Sequence, residues 1–336
     1  MKKILVTGGL GYIGSHTVVE LQNEGFEVVI IDDLSNTTID VLDNITTITG
    51  IKPVFEQIDL KEKEAVSAFF EKYEIDGVIH FAASKAVGES VNEPLKYYEN
   101  NISTLTYVLK AMVANNVKNI IFSSSCTVYG QADKLPITEN APTKPAESPY
   151  GATKRMGEIM LEDTSKVTDL KVIALRYFNP VGAHESAIIG ELPLGVPQNL
   201  IPFVTQTAAG IREELSIFGD DYDTPDGTAV RDYIHVVDLA KAHIAALNRL
   251  LGDNNKTNCE FFNIGTGKGS SVLEIVKTFE KANNLKLNYK IVPRRAGDVT
   301  AAYADTTIAN RELNWKTELS LEDALISAWK WQQTQK

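Results

Sequence analysis

A short apolar run, Lys3-Ile4-Leu5-Val6, leads straight into Thr7-Gly8-Gly9-Leu10-Gly11-Tyr12-Ile13-Gly14, and no other stretch constrains the fold so tightly. The run reads as a buried strand, and Ile13 to Glu24 carries a helical pattern. Glycines recur at every third position, Gly8, Gly11 and Gly14. A strand, a glycine turn and a helix start together make an anion site. The first backbone N–H groups of a helix lack internal partners, and the helix end is positive. Missing Cβ atoms let a phosphate approach. The loop alone names no reaction.

The rest of the first half repeats the pattern. Glu27 to Asp32, Val54 to Asp59, Asp76 to Phe81, Val117 to Ser123 and Lys171 to Phe178 read as strands. Helical periodicity falls at Lys61 to Tyr73, from Pro94 to about Asn115, and from Gly151 to Ser165. The helix after Pro94 is expected to bury Leu95, Tyr98, Ile102, Leu105, Leu109 and Met112 on one side. Alternating strands and helices imply a doubly wound parallel α/β sheet of the Rossmann type, with ligands at the carboxyl ends of its strands. Beyond 178 the chain becomes rich in Gly, Pro, Asn and Asp. Short candidates remain at Leu215 to Phe218, Asp232 to Val236 and Glu260 to Ile264, and helical patterns at Val237 to Leu251, Ser270 to Asn283, Thr307 to Leu313 and Ser320 to Thr334. This predicts a nucleotide-binding domain over 1–178 and a smaller mixed α/β substrate domain over 179–336, with the chain returning to the first domain later.

A net charge of -11 argues against a nucleic-acid partner. No apolar run is long enough to span a membrane, and Thr7-Gly8-Gly9 interrupts anything resembling a signal peptide. Cys126 and Cys259 have no metal or redox spacing, which fits a reducing cytoplasm. The histidines at 16, 80, 184, 235 and 243 also lack metal-ligand spacing, so no metal is expected.

The candidate cofactor contacts begin with Gly8, Gly11, Tyr12, Ile13 and Gly14. Asp32 stands 18 residues beyond Gly14, where a carboxylate accepts hydrogen bonds from the adenosine ribose. It would repel a 2′-phosphate, and no Lys or Arg occurs from Asp33 to Ile51, so NAD is favoured over NADP. Asp33, Ser35 and Asn36 follow it. Asp59, with Leu60, suits the adenine amino group, and Phe81, Ala82 and Ala83 would lie against the cofactor or pack strand on helix.

Ser125 follows the fifth strand, and Tyr150 and Lys154 share one face of a helix start. Bringing a tyrosine from about 10 to about 7 needs roughly 4 kcal/mol, which one ammonium at about 4 Å supplies at intermediate dielectric. Tyr150 is therefore the expected general base, with Lys154 lowering its pKa, the positive nicotinamide ring adding to the effect, and Ser125 sharing its proton.

With these residues together, the chain resembles the extended short-chain dehydrogenase/reductase superfamily and, within it, the UDP-glucose 4-epimerase family. The resemblance runs nearly end to end. It is carried by Lys85-Ala86-Val87-Gly88-Glu89-Ser90, Ser123 to Gly130, Arg176 to Ala183, Asp226-Gly227-Thr228, Val230 to Val236, and Arg294-Arg295 with Gly297-Asp298. It implies that Tyr150 takes the 4-hydroxyl proton as the C4 hydride passes to tightly bound NAD. The 4-keto sugar then turns over and regains the hydride on its other face, interconverting UDP-galactose and UDP-glucose in galactose metabolism.

The resemblance also implies that Lys85, Asn100 and Phe178 touch the cofactor. Lys85, Ser125, Tyr150, Tyr177, Asn179, Asn199, Leu200, Arg231, Tyr233, Arg295 and Asp298 would hold the UDP-sugar, with Leu215, Ser216, Ile217 and Phe218 beside the uracil. The helices after Pro94 and around Tyr150 would form a homodimer through a four-helix bundle. Nucleotide-sugar 4,6-dehydratases, the nearest alternative, resemble Thr-Asp-Glu where this chain has Ser125-Cys126-Thr127. Another NAD-dependent nucleotide-sugar epimerase is a further alternative, and a catalytically dead NAD-binding regulator would not need Tyr150, Lys154 and Ser125 together. Ala302 falls where several relatives carry a bulky tyrosine, which implies room for UDP-GlcNAc and UDP-GalNAc.

Overall fold

The computed structural model describes residues 1–294 and 298–335. Its first half alternates β1 (Lys3–Thr7), α1 (Tyr12–Asn23), β2 (Glu27–Asp32), α2 (Asp40–Thr49), β3 (Val54–Gln57), α3 (Lys63–Lys72), β4 (Gly77–His80), α4 (Val87–Asn92), α5 (Pro94–Ala114), β5 (Asn119–Ser123), α6 (Pro149–Val167) and β6 (Lys171–Tyr177). Then come β7 (Asn179–Val181), α7 (Leu200–Ala208), β8 (Leu215–Phe218), β9 (Val230–Arg231), β10 (Tyr233–His235), α8 (Val236–Leu251) and β11 (Cys259–Ile264). The chain finishes with β12 (Ser270–Ser271), α9 (Val272–Asn283), β13 (Tyr289–Val292), β14 (Ala301–Ala302), α10 (Thr307–Glu312) and α11 (Leu321–Thr334).

Seven parallel strands form the main sheet in the order β11-β6-β5-β4-β1-β2-β3. The central strands read as near-continuous aliphatic runs because both sheet faces are buried. Residues of α1, α2 and α8 build the core on one face, and those of α3, α5 and α6 on the other. Strand order reverses between β1 and β4, so the crevice opens where the loops after these strands part. The seventh strand comes from 259–264, and α8 packs on α1. A single cut at 178 therefore does not divide the chain. Residues between 179 and 235 leave the sheet, the chain returns to it through α8 and β11, and it leaves again after β11, coming back where α10 packs on β11 with Ala309, Leu313 and Trp315 in the sheet's core. Outside it, α7, α9 and α11 enclose a separate core with Leu215 and Ile217 of β8.

Several boundaries differ from the periodicity. The α6 helix starts at Pro149 because Ser148 Oγ accepts the Gly151 N–H at 3.2 Å. Strand β3 stops at Gln57, and Asp59 instead accepts the Lys61 N–H at 2.9 Å in a turn. The expected apolar side of α5 holds only for its second half. Leu95 is 79% exposed, while Tyr97, Asn101 and Thr104 are buried. The first two turns of α5 border the crevice, so their inward face is polar. Helix α2 escapes the sequence reading because only Leu42 and Ile45 are buried among its Asp, Asn and Thr residues.

Four histidines, His16, His80, His235 and His243, are buried, and burial holds them at about 3, 3, 4 and 4. An unfolded histidine binds its proton near about 6.5. As pH falls, the unfolded chain therefore takes up these protons first. Their contribution to stability is complete above about 6.5 and declines from there, to about 4 for His235 and His243 and to about 3 for His16 and His80, by up to about 1.4 kcal/mol per pH unit for each. The urea midpoint is expected to drop clearly between pH 7.5 and pH 5; equal midpoints would contradict it.

Candidate active site

The loop after β1 is shaped by backbone contacts. Gly8 has φ +68 and donates its N–H to the Ile31 carbonyl at 2.7 Å. A Cβ on Gly14 would collide with the Gly8 carbonyl oxygen, so the turn closes onto α1 only with glycine there. Helix α1 has no side-chain cap and no acidic residue in its first turn. Its positive end faces a continuous cleft of about 1490 Å³. That exceeds the usual volume for one small ligand, roughly 300–1,000 Å³, and suits a dinucleotide beside a second nucleotide.

Gly8, Gly11, Tyr12, Ile13 and Gly14 line one end of the cleft, with Asp32, Asp33, Ser35, Asn36, Asp59 and Leu60. Asp32 is fixed by N–H groups of Leu10 at 3.1 Å and Leu34 at 3.0 Å. Burial outweighs these bonds and pushes its carboxyl above the usual range. Asp33 accepts both the N–H and the hydroxyl of Ser35, at 2.9 and 2.6 Å. Phe81, Ala82 and Ala83 also line the cleft, with Ala82 against Gly8. Glycine, an open helix start and a held carboxylate at the strand end fit the diphosphate and ribose of a dinucleotide.

Tyr150, Lys154 and Tyr177 line the middle. Ser125 lies behind them, buried, its Oγ accepting the Thr127 N–H at 3.2 Å and its hydroxyl acting to lower the pKa of the Tyr150 phenol. Lys154 Nζ donates to the Ser123 carbonyl at 2.7 Å and lies 5.8 Å from the centre of the Tyr150 ring. Burial lowers Lys154 to about 8. Tyr150 departs from the sequence expectation. Burial, then the neighbouring Tyr177, hold its phenol well above 10 in the protein alone, with the Lys154 ammonium 5.8 Å from the ring centre. The ammonium is turned toward the strand-end carbonyl, and desolvation of a phenolate costs more than it returns at that distance.

At the far end, Asn179, Asn199, Arg231, Asp298 and Ala302 line the cleft. Arg231 pairs with Asp298 and donates to the Val230 carbonyl at 2.8 Å. Parallel pairing of β14 with β9 sets Ala302 opposite Arg231. Ala302 faces the cleft, whereas the Tyr303 ring lies against Gly269, as strand alternation requires. Lys85 and Asn100 also line it. Lys85 pairs with Glu191 at 3.6 Å, and Asn199 donates to the same carboxylate at 2.7 Å.

Leu200, Leu215, Ser216, Ile217, Phe218, Tyr233 and Phe178 are not on the cleft wall. Leu215, Ile217 and Tyr233 are buried in the core of the smaller part, which leaves Ser216 and Phe218 on the other side of β8. Phe178 packs with Tyr129 and Ile137. Arg295 and Gly297 lie outside the described residues.

Sequence reasoning missed three organising residues. Glu191 joins Lys85 to Asn199 from a Gly/Pro-rich loop with no periodicity to mark it. Buried Asn101 ties Ser84, through its N–H and carbonyl, to Thr153 beside Lys154. Asp232, fully buried, accepts from Thr266 N and Oγ, Gly267 N and Ala304 N, and its own backbone bonds Ala302 and Asn179. Among the described residues no group of three or more His, Cys, Asp or Glu could hold a metal, and no helix is long and apolar enough to cross a membrane.

The family model described as GDP-mannose 4,6 dehydratase matches residues 5–327. A UDP-glucose 4-epimerase of Bacillus subtilis is 51% identical, covering 98% of this chain and 96% of that protein. The crystal structure of a UDP-glucose-4-epimerase from Stenotrophomonas maltophila with bound NAD and formylated UDP-arabinopyranose aligns with a TM-score of 0.96 at 48% identity, over 99% of this chain and 98% of that one. One from Bifidobacterium longum, in complex with NAD+ and UDP, aligns with a TM-score of 0.95 at 46% identity over 99% of each chain.

Proposed function

This chain belongs to the family that the GDP-mannose 4,6 dehydratase model describes and, within it, to the UDP-glucose 4-epimerases, and from that premise we propose that it interconverts UDP-galactose and UDP-glucose through a 4-keto intermediate. It is an NAD-dependent isomerase of galactose metabolism. The observation that carries this is one cleft with Tyr150 and Lys154 between a dinucleotide end and an arginine-bearing end.

NAD, when bound, would supply the acceptor and donor for the C4 hydride and, in its oxidised form, an added positive charge. Gly8, Gly11 and the α1 start would hold its diphosphate, and Asp32 its adenosine ribose. The protein alone keeps Tyr150 a phenol, so its phenolate forms where that added charge and Lys154 act together. Tyr150 Oη then takes the 4-hydroxyl proton, Ser125 hydrogen-bonds the phenol, and the proton returns after the sugar has turned. Arg231 anchors the UDP diphosphate throughout, its forked donors matched to phosphate oxygens.

Cys126 and Thr127 occupy the positions where the dehydratases resemble an acid pair, and burial pushes the Cys126 thiol up to about 12. It is neutral near pH 7 and no base for dehydration. Purified protein is expected to carry nicotinamide absorbance and convert UDP-galactose to UDP-glucose without added NAD. No conversion even with NAD supplied would remove the reading.

We also propose that UDP-GlcNAc and UDP-GalNAc are substrates, because Ala302 leaves the cleft wall low opposite Arg231. Ala302→Tyr is expected to lower kcat/KM for UDP-GlcNAc by about 10²-fold and spare UDP-glucose. Failure of the unaltered protein to turn over UDP-GlcNAc would end this proposal. A homodimer through α5 and α6 is supported by outward Leu95, Val113, Met156 and Ile159; light scattering tests it. Two free cysteines support a reducing, cytoplasmic setting.

A further inference from the structure

Helix α6 carries a third polar residue in register with Tyr150 and Lys154. Glu158 lies one further step of four residues along the same face, and it is buried. Its Oε1 accepts the Ser124 hydroxyl at 2.6 Å and Arg176 Nε at 2.8 Å, and its Oε2 accepts Arg176 Nη2 at 2.8 Å. Arg176 reaches it from β6, packed over the rings of Tyr129 and Phe261. Stability does not require such a pair, since apolar residues of similar shape commonly replace buried ion pairs without loss.

Its position suggests a task. Ser124 stands between the two residues that hold the reacting pair. The Ser123 carbonyl receives the Lys154 ammonium, and the Ser125 hydroxyl, which accepts the Thr127 N–H, acts on the Tyr150 phenol. A carboxylate gripping Ser124 therefore fixes both neighbours. Resting on the epimerase reading above, we propose that Glu158, held by Arg176, is a positioning residue that keeps Lys154 charged and the Ser123–Ser125 strand end in place for Tyr150.

The surrounding charges agree. Burial drags Lys154 down, and Glu158 is what pulls it back up. Facing the pair from other elements are His80 on β4, Tyr129 after β5 and Cys259 on β11. His80 is held at about 3, and Tyr129 and Cys259 at about 12, so none of them titrates near neutrality. Glu139, also near Arg176, is raised by burial. Of the groups at this pair, Lys154, lowered to about 8, changes charge nearest neutral pH.

The test compares the full-length protein with Glu158→Gln and with Glu158→Gln/Arg176→Met. The double variant removes both charges and keeps an extended side chain against Phe261, so it folds even where the single one does not. Epimerisation by the unaltered protein is measured in parallel; its absence would remove the reading beneath, independently of Glu158. In either variant the Lys154 resonance of isotope-labelled lysine is expected to titrate about one pH unit lower. The acid limb of kcat should move up, because a less charged Lys154 stabilises the phenolate less. Neutral kcat should fall about tenfold, with KM for UDP-galactose within about twofold. A double variant with unaltered Lys154 titration, acid limb and kcat would overturn the proposal, showing that Glu158 only balances Arg176. So would a loss of kcat and thermal stability together with an unmoved Lys154 titration.

Discussion

Replacing Tyr150 with phenylalanine is expected to lower kcat for UDP-galactose by about 10³-fold, while the protein keeps its NAD. A positioned general acid–base group is worth about 10² to 10⁴ in rate, and the phenol lies on the cleft beside Tyr177, with the Lys154 ammonium 5.8 Å from its ring centre. Phenylalanine keeps the ring where it is buried, so thermal stability should hardly change. The glycine loop and Asp32 lie at the other end of the cleft, so retained nicotinamide absorbance should equal that of the unaltered protein. Rates on UDP-galactose and the absorbance of each preparation check both statements. A variant within about tenfold of the original would move the base elsewhere.

The second large effect lies away from the chemistry. Asp232→Asn is expected to lower both stability and substrate affinity. The carboxylate gathers donors from Thr266, Gly267 and Ala304, and its backbone ties β9 to Ala302 and Asn179. Asparagine has the same shape, but its amide turns two hydrogens toward groups that are already donors. Buried donors left unmatched cost about 1–3 kcal/mol each, so a loss of about 3 kcal/mol is expected. Arg231 and Ala302 ride on the strands this residue holds, and a displacement of about 1 Å can cost about 10²-fold in kcat/KM. Urea unfolding and a binding isotherm for UDP measure the two effects. A drop in stability with unchanged UDP affinity would show that Asp232 supports the fold without shaping the site.

The parallel sheet was legible because its strands must be apolar on both faces and its loop needs glycine where a Cβ would strike the Gly8 carbonyl. Local rules of this kind also marked Asp32, Tyr150 and Lys154. What escaped was set by contacts distant in sequence. Glu191 acts through Lys85, and Asp232 through residues more than thirty positions away. The inward face of α5 could not be read as polar until its first turns were placed beside the cleft. Leu215 and Ile217 read as ligand contacts by resemblance, yet their side chains complete a core that only tertiary packing defines. Glu158 was within reach, since it continues the four-residue spacing of Tyr150 and Lys154. The raised pKa of Tyr150 in the protein alone was not legible for a physical reason: spacing on a helix gives proximity, whereas pKa depends on which way the ammonium turns and how far water is excluded.

The central claim is that the hydride leaving C4 comes back to C4 of the same sugar. UDP-galactose carrying deuterium at C4, incubated with the purified protein in ordinary water without added NAD, tests it directly. The account predicts UDP-glucose that keeps the deuterium at C4 through many turnovers. Product with hydrogen at C4, or deuterium released to water, would contradict it.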